Sequence, residues 1–284
     1  MPYLGAHLSI AGGYYKALES AQHYGMQAVQ LFTKSNTQWR SKPITDSEVQ
    51  RFQQARQLLN PRWLLAHDSY LINLASPEPA LYRRSIEALI EEWQRAHQLG
   101  LDYLVVHPGA HGGAGERAGL ERIVAALAQA QQRCSQCFPR LLIENTAGQG
   151  TSLGWQLEQL AYIVRELGNP TWLGFCLDTC HLFAAGYPLT PRRAWLRTLR
   201  QLDRHLSLER IYAWHLNDSA KPFASRLDRH AHIGHGHIGL EGFRHVLHCR
   251  HFRELPMILE TPKGNHQSTD WDARNLETLR RLLG

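Results

Sequence analysis

Eight short apolar runs, each closed by a polar residue, recur along this chain and limit what it can fold into. They are YLGAHLS (3–9), AVQLFT (28–33), WLLAHD (63–68), YLVVHP (103–108), LLIENT (141–146), GFCLDT (174–179), IYAWHLND (211–218) and MILETP (257–262). Near-continuous apolar character marks parallel strands buried on both faces. Between the runs lie helix-like stretches. Across 79–99, Tyr82, Ile86, Leu89, Trp93 and Ala96 recur at steps of four and three. Across 117–137, Leu120, Ile123, Val124, Leu127 and Ala130 do the same, and Leu276, Leu279 and Leu283 close the last stretch. Gly25, Gly100 and Gly168 stand where helices should stop. Strand–helix alternation implies a parallel sheet, and eight such units close a barrel. The 284 residues suit one (β/α)8 TIM barrel, typically about 250 residues long. No linker or composition break divides residues 1–284, so the expected fold is α/β, a single TIM-barrel domain.

Composition narrows the function classes. Hydrophobic residues at 43% and charged residues at 20% supply a large core and exclude a disordered chain. Five cysteines without a regular framework argue against a disulfide-stapled secreted fold. No signal-peptide pattern opens the sequence, and no run reaches the ~20 apolar residues of a membrane helix. A cytoplasmic protein with no membrane partner is expected. The formal charge of +6 suits an anionic partner, and equally a solvated basic surface.

In such barrels the chemistry sits at the C-terminal ends of the strands. Here the ends read His7, Thr33, His67, His107, Glu144, Asp178, His215 and Glu260. One polar residue closing a strand is ordinarily the start of a solvated loop. All but Thr33 can ligate metal or move a proton, and all would converge on one mouth. The loops add His181, three residues after Asp178, and the pair Asp228 and His230, whose i, i+2 spacing aims both side chains the same way in an extended loop. Histidine and carboxylate without clustered cysteine fits Zn²⁺, with Mn²⁺ or Fe²⁺ as competitors. At three or four ligands each, the supply serves two or three metals, and a multinuclear site suits phosphoryl chemistry.

Other features carry less. Cys134 and Cys137 form a lone C-x-x-C and read as buried structural residues; Cys176 and Cys180 flank Asp178 and read as packing rather than soft ligands. The stretch GGAGERAG (112–119) lacks a nucleotide fingerprint and reads as a flexible loop. The loops after the strands hold cations among aromatics: Lys34, Gln38, Trp39, Arg40 and Lys42, then Tyr70, then Lys221, Arg226 and Arg229, then Lys263. That mixture suits nucleic acid, with cations on phosphates and rings against bases. Equally, Trp39 could simply pack its loop.

Nine blocks of sequence resemble the endonuclease IV family, the zinc-dependent apurinic/apyrimidinic endonucleases also called deoxyribonuclease IV. They are GAHLSIAGG (5–13), LFTKSNTQW (31–39), HDSYLINLASP (67–77), VVHPGAH (105–111), IENTAGQGTSLG (143–154), CLDTCHLFAAGY (176–187), HLNDS (215–219), SRLDRHAHIG (225–234) and ILETP (258–262). The resemblance runs almost end to end. It implies a TIM barrel with three zinc ions and DNA-binding loops at the C-terminal face. One zinc would be held by His67 and His107 with Glu144, which would bridge to a second held also by Asp178, His215 and Glu260. The third would take His181, Asp228 and His230. His7 is not a ligand in the family and becomes supporting structure.

The implied reaction is base-excision repair chemistry. Hydroxide formed at the trinuclear centre, with Glu144 as its central carboxylate, would cut 5′ to an abasic site in duplex DNA. The products would be a 3′-hydroxyl and a 5′-deoxyribose phosphate, and blocked 3′ ends would be trimmed by the same chemistry. The resemblance also implies kinked DNA with the abasic nucleotide flipped out, a monomer, and DNA contacts at Tyr70 (the wedge), Gln38, Trp39 and Arg229. Two departures stand out. Thr37 replaces an arginine the family often carries, with Arg40 a substitute, and His235 replaces a charged residue in a loop that also holds His232 and His237. A sugar isomerase or epimerase on a related barrel has no need of the His181, Asp228 and His230 group. A non-catalytic damage binder would use closed structural sites instead of an open mouth.

Overall fold

The computed structural model describes residues 1–266 and 269–284. All eight runs are strands of one closed parallel barrel. In chain order these are β1 (Tyr3–Leu8), β2 (Ala28–Phe32), β3 (Trp63–His67), β4 (Tyr103–Val106), β5 (Arg140–Glu144), β6 (Leu173–Asp178) and β7 (Ile211–His215). Two short strands, β8 (Asp218–Ser219) and β9 (His230–Ala231), pair antiparallel within the next connection. β10 (Pro256–Leu259) then closes the ring between β7 and β1. The helices are α1 (Tyr14–His23), α2 (Asp46–Leu59), α3 (Pro79–Leu99), α4 (Glu116–Arg133), α5 (Leu157–Glu166), the short α6 (Thr179–Ala185), α7 (Arg192–Leu206), α8 (Gly239–Leu247) and α9 (Trp271–Leu283).

Local chemistry sets their limits. Thr45 and Glu48 form a reciprocal capping box at the start of α2. The Glu78 carboxylate accepts from the Ala80 and Leu81 backbone N–H groups to start α3, with Pro79 in its first turn. Gly100 ends α3 at φ 73°, a left-handed conformation that glycine adopts without strain. The stretch expected to be helical over 117–137 stops at Arg133, where Cys134 takes a non-helical conformation. Cys134 is buried as expected, but Cys137 lies in the following turn and is only half-buried. The 112–119 segment is part loop and part helix, since α4 begins at Glu116.

Side-chain alternation splits the core in two. The barrel interior is filled by Ala28, Leu65, Tyr103, Val105, Leu142, Cys176, Ala213 and Ile258. A larger layer, including Leu31, Leu64, Leu104, Ile143, Phe175, Trp214 and Leu259, lies between barrel and helices. The strand period of two decides what stands above the interior plug. Two residues on from Ala28, Leu65, Val105, Leu142, Cys176, Ala213 and Ile258 stand Gln30, His67, His107, Glu144, Asp178, His215 and Glu260. Gly5 allows β1 to close on β2: a Cβ there would sit 1.8 Å from the Ala28 carbonyl oxygen. No described helix is long and apolar enough to cross a membrane.

Candidate metal centre

Glu144 ends β5 fully buried, with its two oxygens facing different partners. Oε2 lies 3.2 Å from His67 Nε2 and 3.1 Å from His107 Nε2. Oε1 lies 3.0 Å from His215 Nδ1 and 3.2 Å from His181 Nδ1. Donor atoms gather into overlapping sets within 4.8 Å: His67, His107 and Glu144; then Glu144, Asp178, His215 and Glu260; then Asp178, His181 and His230. Asp228 joins the last, its Oδ2 3.1 Å from His181 Nε2 and its Oδ1 3.3 Å from His230 Nε2. All nine residues thus meet at one mouth, brought from strand ends and loops far apart in sequence.

The backbone selects which nitrogen of each ring faces inward. His67 Nδ1 lies 2.8 Å from the Asp68 carbonyl, His181 Nδ1 2.8 Å from the Asn145 carbonyl and His230 Nδ1 3.1 Å from the Glu260 carbonyl. A carbonyl only accepts, so Nδ1 carries the proton and Nε2 presents its lone pair. The Nε2 atoms of His181 and His230 are buried with no hydrogen-bond partner among the described residues. Both lie near the Asp228 carboxylate without hydrogen-bond geometry, so carboxylate and imidazole share a neighbourhood without satisfying each other. A buried imidazole nitrogen with no hydrogen-bond partner beside a carboxylate is costly in protein alone and suits a cation between them. The donor set, histidine with carboxylate, fits a borderline-soft divalent metal.

Charge agrees with geometry. Burial disfavours the His67 imidazolium, but the Glu144 and Glu260 carboxylates outweigh it and push the pKa up to about 9. His181 and His215 also rise well above the usual range: burial opposes this, while Asp178 and Asp228 raise the first and Cys176, Glu144 and Glu260 raise the second. Against burial, His215, His107 and His181 hold Glu144 well below the carboxylate range. Without metal, protons supply the positive charge this cluster demands.

One participant was not legible among the strand ends. Gln30, buried in the middle of β2, accepts from His215 Nε2 at 2.9 Å and donates to Glu260 Oε1 at 2.6 Å and to His7 Nδ1 at 3.0 Å. By accepting there it keeps the His215 proton on Nε2 and leaves Nδ1 for the centre. Its signal is a lone amide inside the apolar run AVQLF, on the inward parity. Thr33, the one strand end without a ligating group, faces outward, its hydroxyl donating to Glu92 Oε2 at 3.2 Å. His7 lies beside the centre, with Nδ1 3.4 Å from Glu260 Oε1. Asn217 also braces the centre, donating to Asp178 Oδ2 at 2.6 Å and accepting from the Glu260 backbone N–H at 3.0 Å. Gln30→Leu should cost about 10- to 100-fold in metal affinity or activity, as loss of such supporting partners does. Titration of the metal-free variant with Zn²⁺ checks this, and unchanged affinity and activity would dismiss the assigned role.

The cysteines and cations sort differently. Cys176 fills the barrel interior, and burial pushes its thiol up to about 12. Cys180 Sγ lies within reach of Asp228 and His230, but burial likewise pushes its thiol up to about 12. Lys34, expected on the DNA-facing rim, is buried against Glu91 at 3.1 Å. Lys263 is held by Asp272 at 2.7 Å. Arg40, Lys42, Lys221, Arg226 and Arg229 are exposed, and Arg229 lies beside Gln149 and Asp228. A second basic surface, Arg192, Arg193, Arg197, Arg200 and Arg204 on α7, makes no ion pair among the described residues. The surplus charge is therefore not gathered at the mouth alone. Tyr70 stands exposed on the rim, 5.6 Å from the Phe32 ring. Gln38 is exposed; Trp39 packs against the core with Arg84 stacked 4.4 Å over its ring. His235 packs edge-on against Trp271, while His232 stacks on that ring at 3.6 Å. A cavity of about 650 Å³ opens beside the centre, lined in part by His7, Phe32, Tyr70, Glu260 and Lys263.

Fold and site together place the chain among the xylose isomerase-like TIM barrels, whose family model matches residues 18–282. Within that class the similarity is specific. A Chloroflexus aggregans protein named "Probable endonuclease 4" is 45% identical over 283 residues, covering 100% of this chain and 98% of its own. One of the same name from Geobacter sulfurreducens is 44% identical over 281 residues, covering 99% and 94%. The crystal structure of endonuclease IV from Thermus thermophilus superposes with a TM-score of 0.88 at 38% identity, covering 99% of each chain. The chain belongs to the endonuclease IV family.

Proposed function

We propose that this protein is a zinc-dependent endonuclease that cuts duplex DNA 5′ to abasic sites and trims blocked 3′ ends. The observation that carries the reading is the Glu144 carboxylate, buried between two histidine sets at the foot of an open mouth. His67, His107 and Glu144 would hold one ion, Glu144, Asp178, His215 and Glu260 a second, and His181, Asp228 and His230 a third. Bound zinc supplies Lewis acidity, bringing the pKa of water to about 7 and neutralising charge on a phosphodiester.

The protein's own groups do the rest. Asn145, Asp68 and Glu260 carbonyls fix three imidazoles in one tautomer, and Gln30 fixes a fourth. Preset ligands need little rearrangement as charge develops at phosphorus. Tyr70 presents an aromatic edge beside the mouth, suited to wedging into the stack where a base is missing. Unstacking costs a few kcal/mol and least at a site already lacking its base. Gln38 reaches from the same rim, and Arg229 offers a cation to the backbone. Trp39, covered by Arg84, acts chiefly by packing its loop. The products are a 3′-hydroxyl and a 5′-deoxyribose phosphate. A soluble monomer working in the cytoplasm fits this role.

The deciding assay uses an end-labelled duplex with one abasic site, with and without chelator. A single chelator-sensitive nick on the 5′ side is expected; an intact duplex would refute the reading. Binding to that duplex should also weaken steeply between 50 and 200 mM salt, by about 10³-fold or more if six phosphates are contacted. Fluorescence anisotropy measures it, and a flat response would mean that the exposed cations around the mouth do not meet DNA.

A further inference from the structure

Gln38, Trp39 and Tyr70 sit on connections with no helix or strand of their own. Their anchors come instead from one helix, α3. The Glu91 carboxylate accepts from Ser41 Oγ at 2.7 Å and Lys34 Nζ at 3.1 Å. The Glu92 carboxylate joins two connections at once: Oε2 accepts from Thr33 Oγ1 at 3.2 Å, Oε1 from the Ser69 backbone N–H at 3.1 Å. Arg95 donates to the Thr33 carbonyl from Nη2 at 2.7 Å and Nε at 3.0 Å, and to the Lys42 carbonyl from Nη1 at 2.9 Å. Gln98 adds a bond to the Ile44 carbonyl at 3.2 Å. Residues 84, 91, 95 and 98 recur at helical spacing, so one face of α3 meets the whole 33–45 connection.

Burial makes this ladder demanding. Glu92 is fully buried and Arg95 is 7% exposed. No carboxylate lies within 4.0 Å of the Arg95 guanidinium among the described residues; loop carbonyls and the Tyr14 hydroxyl, at 2.8 Å, take its protons. If the loop leaves, a buried cation loses most of its partners, which is unfavourable. Ser69 Oγ ties the two connections directly, donating to the Asn36 carbonyl at 2.7 Å.

The geometry points to Glu92 and Arg95 as positioning residues that hold the rim of the mouth, Gln38 and Trp39 with Tyr70, preformed for a damaged duplex. Among the described residues neither hydrogen-bonds a candidate metal ligand. Their effect is to remove a loop-ordering cost from binding. This rests on duplex DNA as the substrate.

The experiment compares Glu92→Leu and Arg95→Met with Glu92→Gln. Glutamine can still accept from Ser69 N–H and donate to the Thr33 hydroxyl, so it should behave as wild type. The other two should raise KM for abasic duplex about 10-fold, within the about 100-fold that a 1 Å misplacement can cost. The kcat at saturating duplex and the bound metal should stay unchanged. Hydrogen exchange should quicken at 33–45 and 69–71 and nowhere near the metal ligands. Unchanged exchange and KM in both variants would overturn the proposal, as would a fall in kcat with metal loss. If the buried variants do not fold, exposed Gln98→Ala carries the same readouts with a smaller expected shift. Should wild-type protein leave abasic duplex intact, the substrate reading fails, while the exchange contrast still decides whether α3 orders the rim.

Discussion

Glu144→Ala is expected to abolish nicking of abasic duplex while leaving the barrel folded. The loss should exceed the about 100- to 1,000-fold caused by removing one preorganised hydrogen-bond donor. One carboxylate serves two donor sets, Oε2 toward His67 and His107, Oε1 toward His215 and His181. Alanine would break both and leave four histidines without their shared counter-charge. The backbone should tolerate it, because the Asn145 side chain still accepts from the Asp178 N–H at 2.7 Å and ties β5 to β6. Nicking rate, bound zinc and the circular dichroism spectrum decide the matter. Near-normal nicking would end the assignment of Glu144 as the central ligand.

Chelation should be the second large effect, and it should move protons. In the metal-free centre the His67 pKa is pushed up to about 9, and His181 and His215 lie well above their usual range. At pH 7 these imidazoles hold protons that an incoming metal must displace. Zinc uptake should therefore release protons, with apparent affinity rising with pH and proton release shrinking above about pH 9. Calorimetry in buffers of different ionisation heat measures this; proton-neutral binding at pH 7 would contradict the assigned ligands.

Stability follows the same linkage. A raised histidine pKa stabilises the metal-free fold below its unfolded value, near 6.5. That contribution is lost as pH rises through about 9. Metal-loaded protein should lack this alkaline loss. Zinc at 1,000 times its Kd adds about 4 kcal/mol per site, so the Tm should drop on the order of 10 °C on chelation. An unchanged Tm would count against metal binding to the folded state.

Much of this centre was legible because strand ends in a parallel barrel converge. His67, His107, Glu144, Asp178, His215 and Glu260 could be chosen by position alone, and all of them meet. Gln30 and Thr33 show where that rule stops. Thr33 closes its run without a ligating group, and strand parity turns it outward to Glu92 while Gln30 points in. Counting by twos from Ala28 would have found the amide; reading the run's last polar residue could not. Lys34 and Lys263 illustrate the same limit for charge. Composition registers a cation, but only packing shows that Glu91 and Asp272 have already taken it. Trp39 likewise reads as a ring for bases, and only the fold shows Arg84 stacked on its face.

The amino-acid sequence by itself determined the barrel, its number of units, the nine candidate ligands and the family. These follow from local periodicity and from motifs a few residues long. Tertiary structure alone decided which histidine nitrogen faces the centre, which amide holds His215 in place, and which basic residues remain available to a partner. Each depends on atoms brought together from distant segments, such as Gln30 beside His215 or Arg95 beneath Thr33. A hydrogen bond or ion pair acts over a few ångströms and carries no trace in the spacing of residues along the chain.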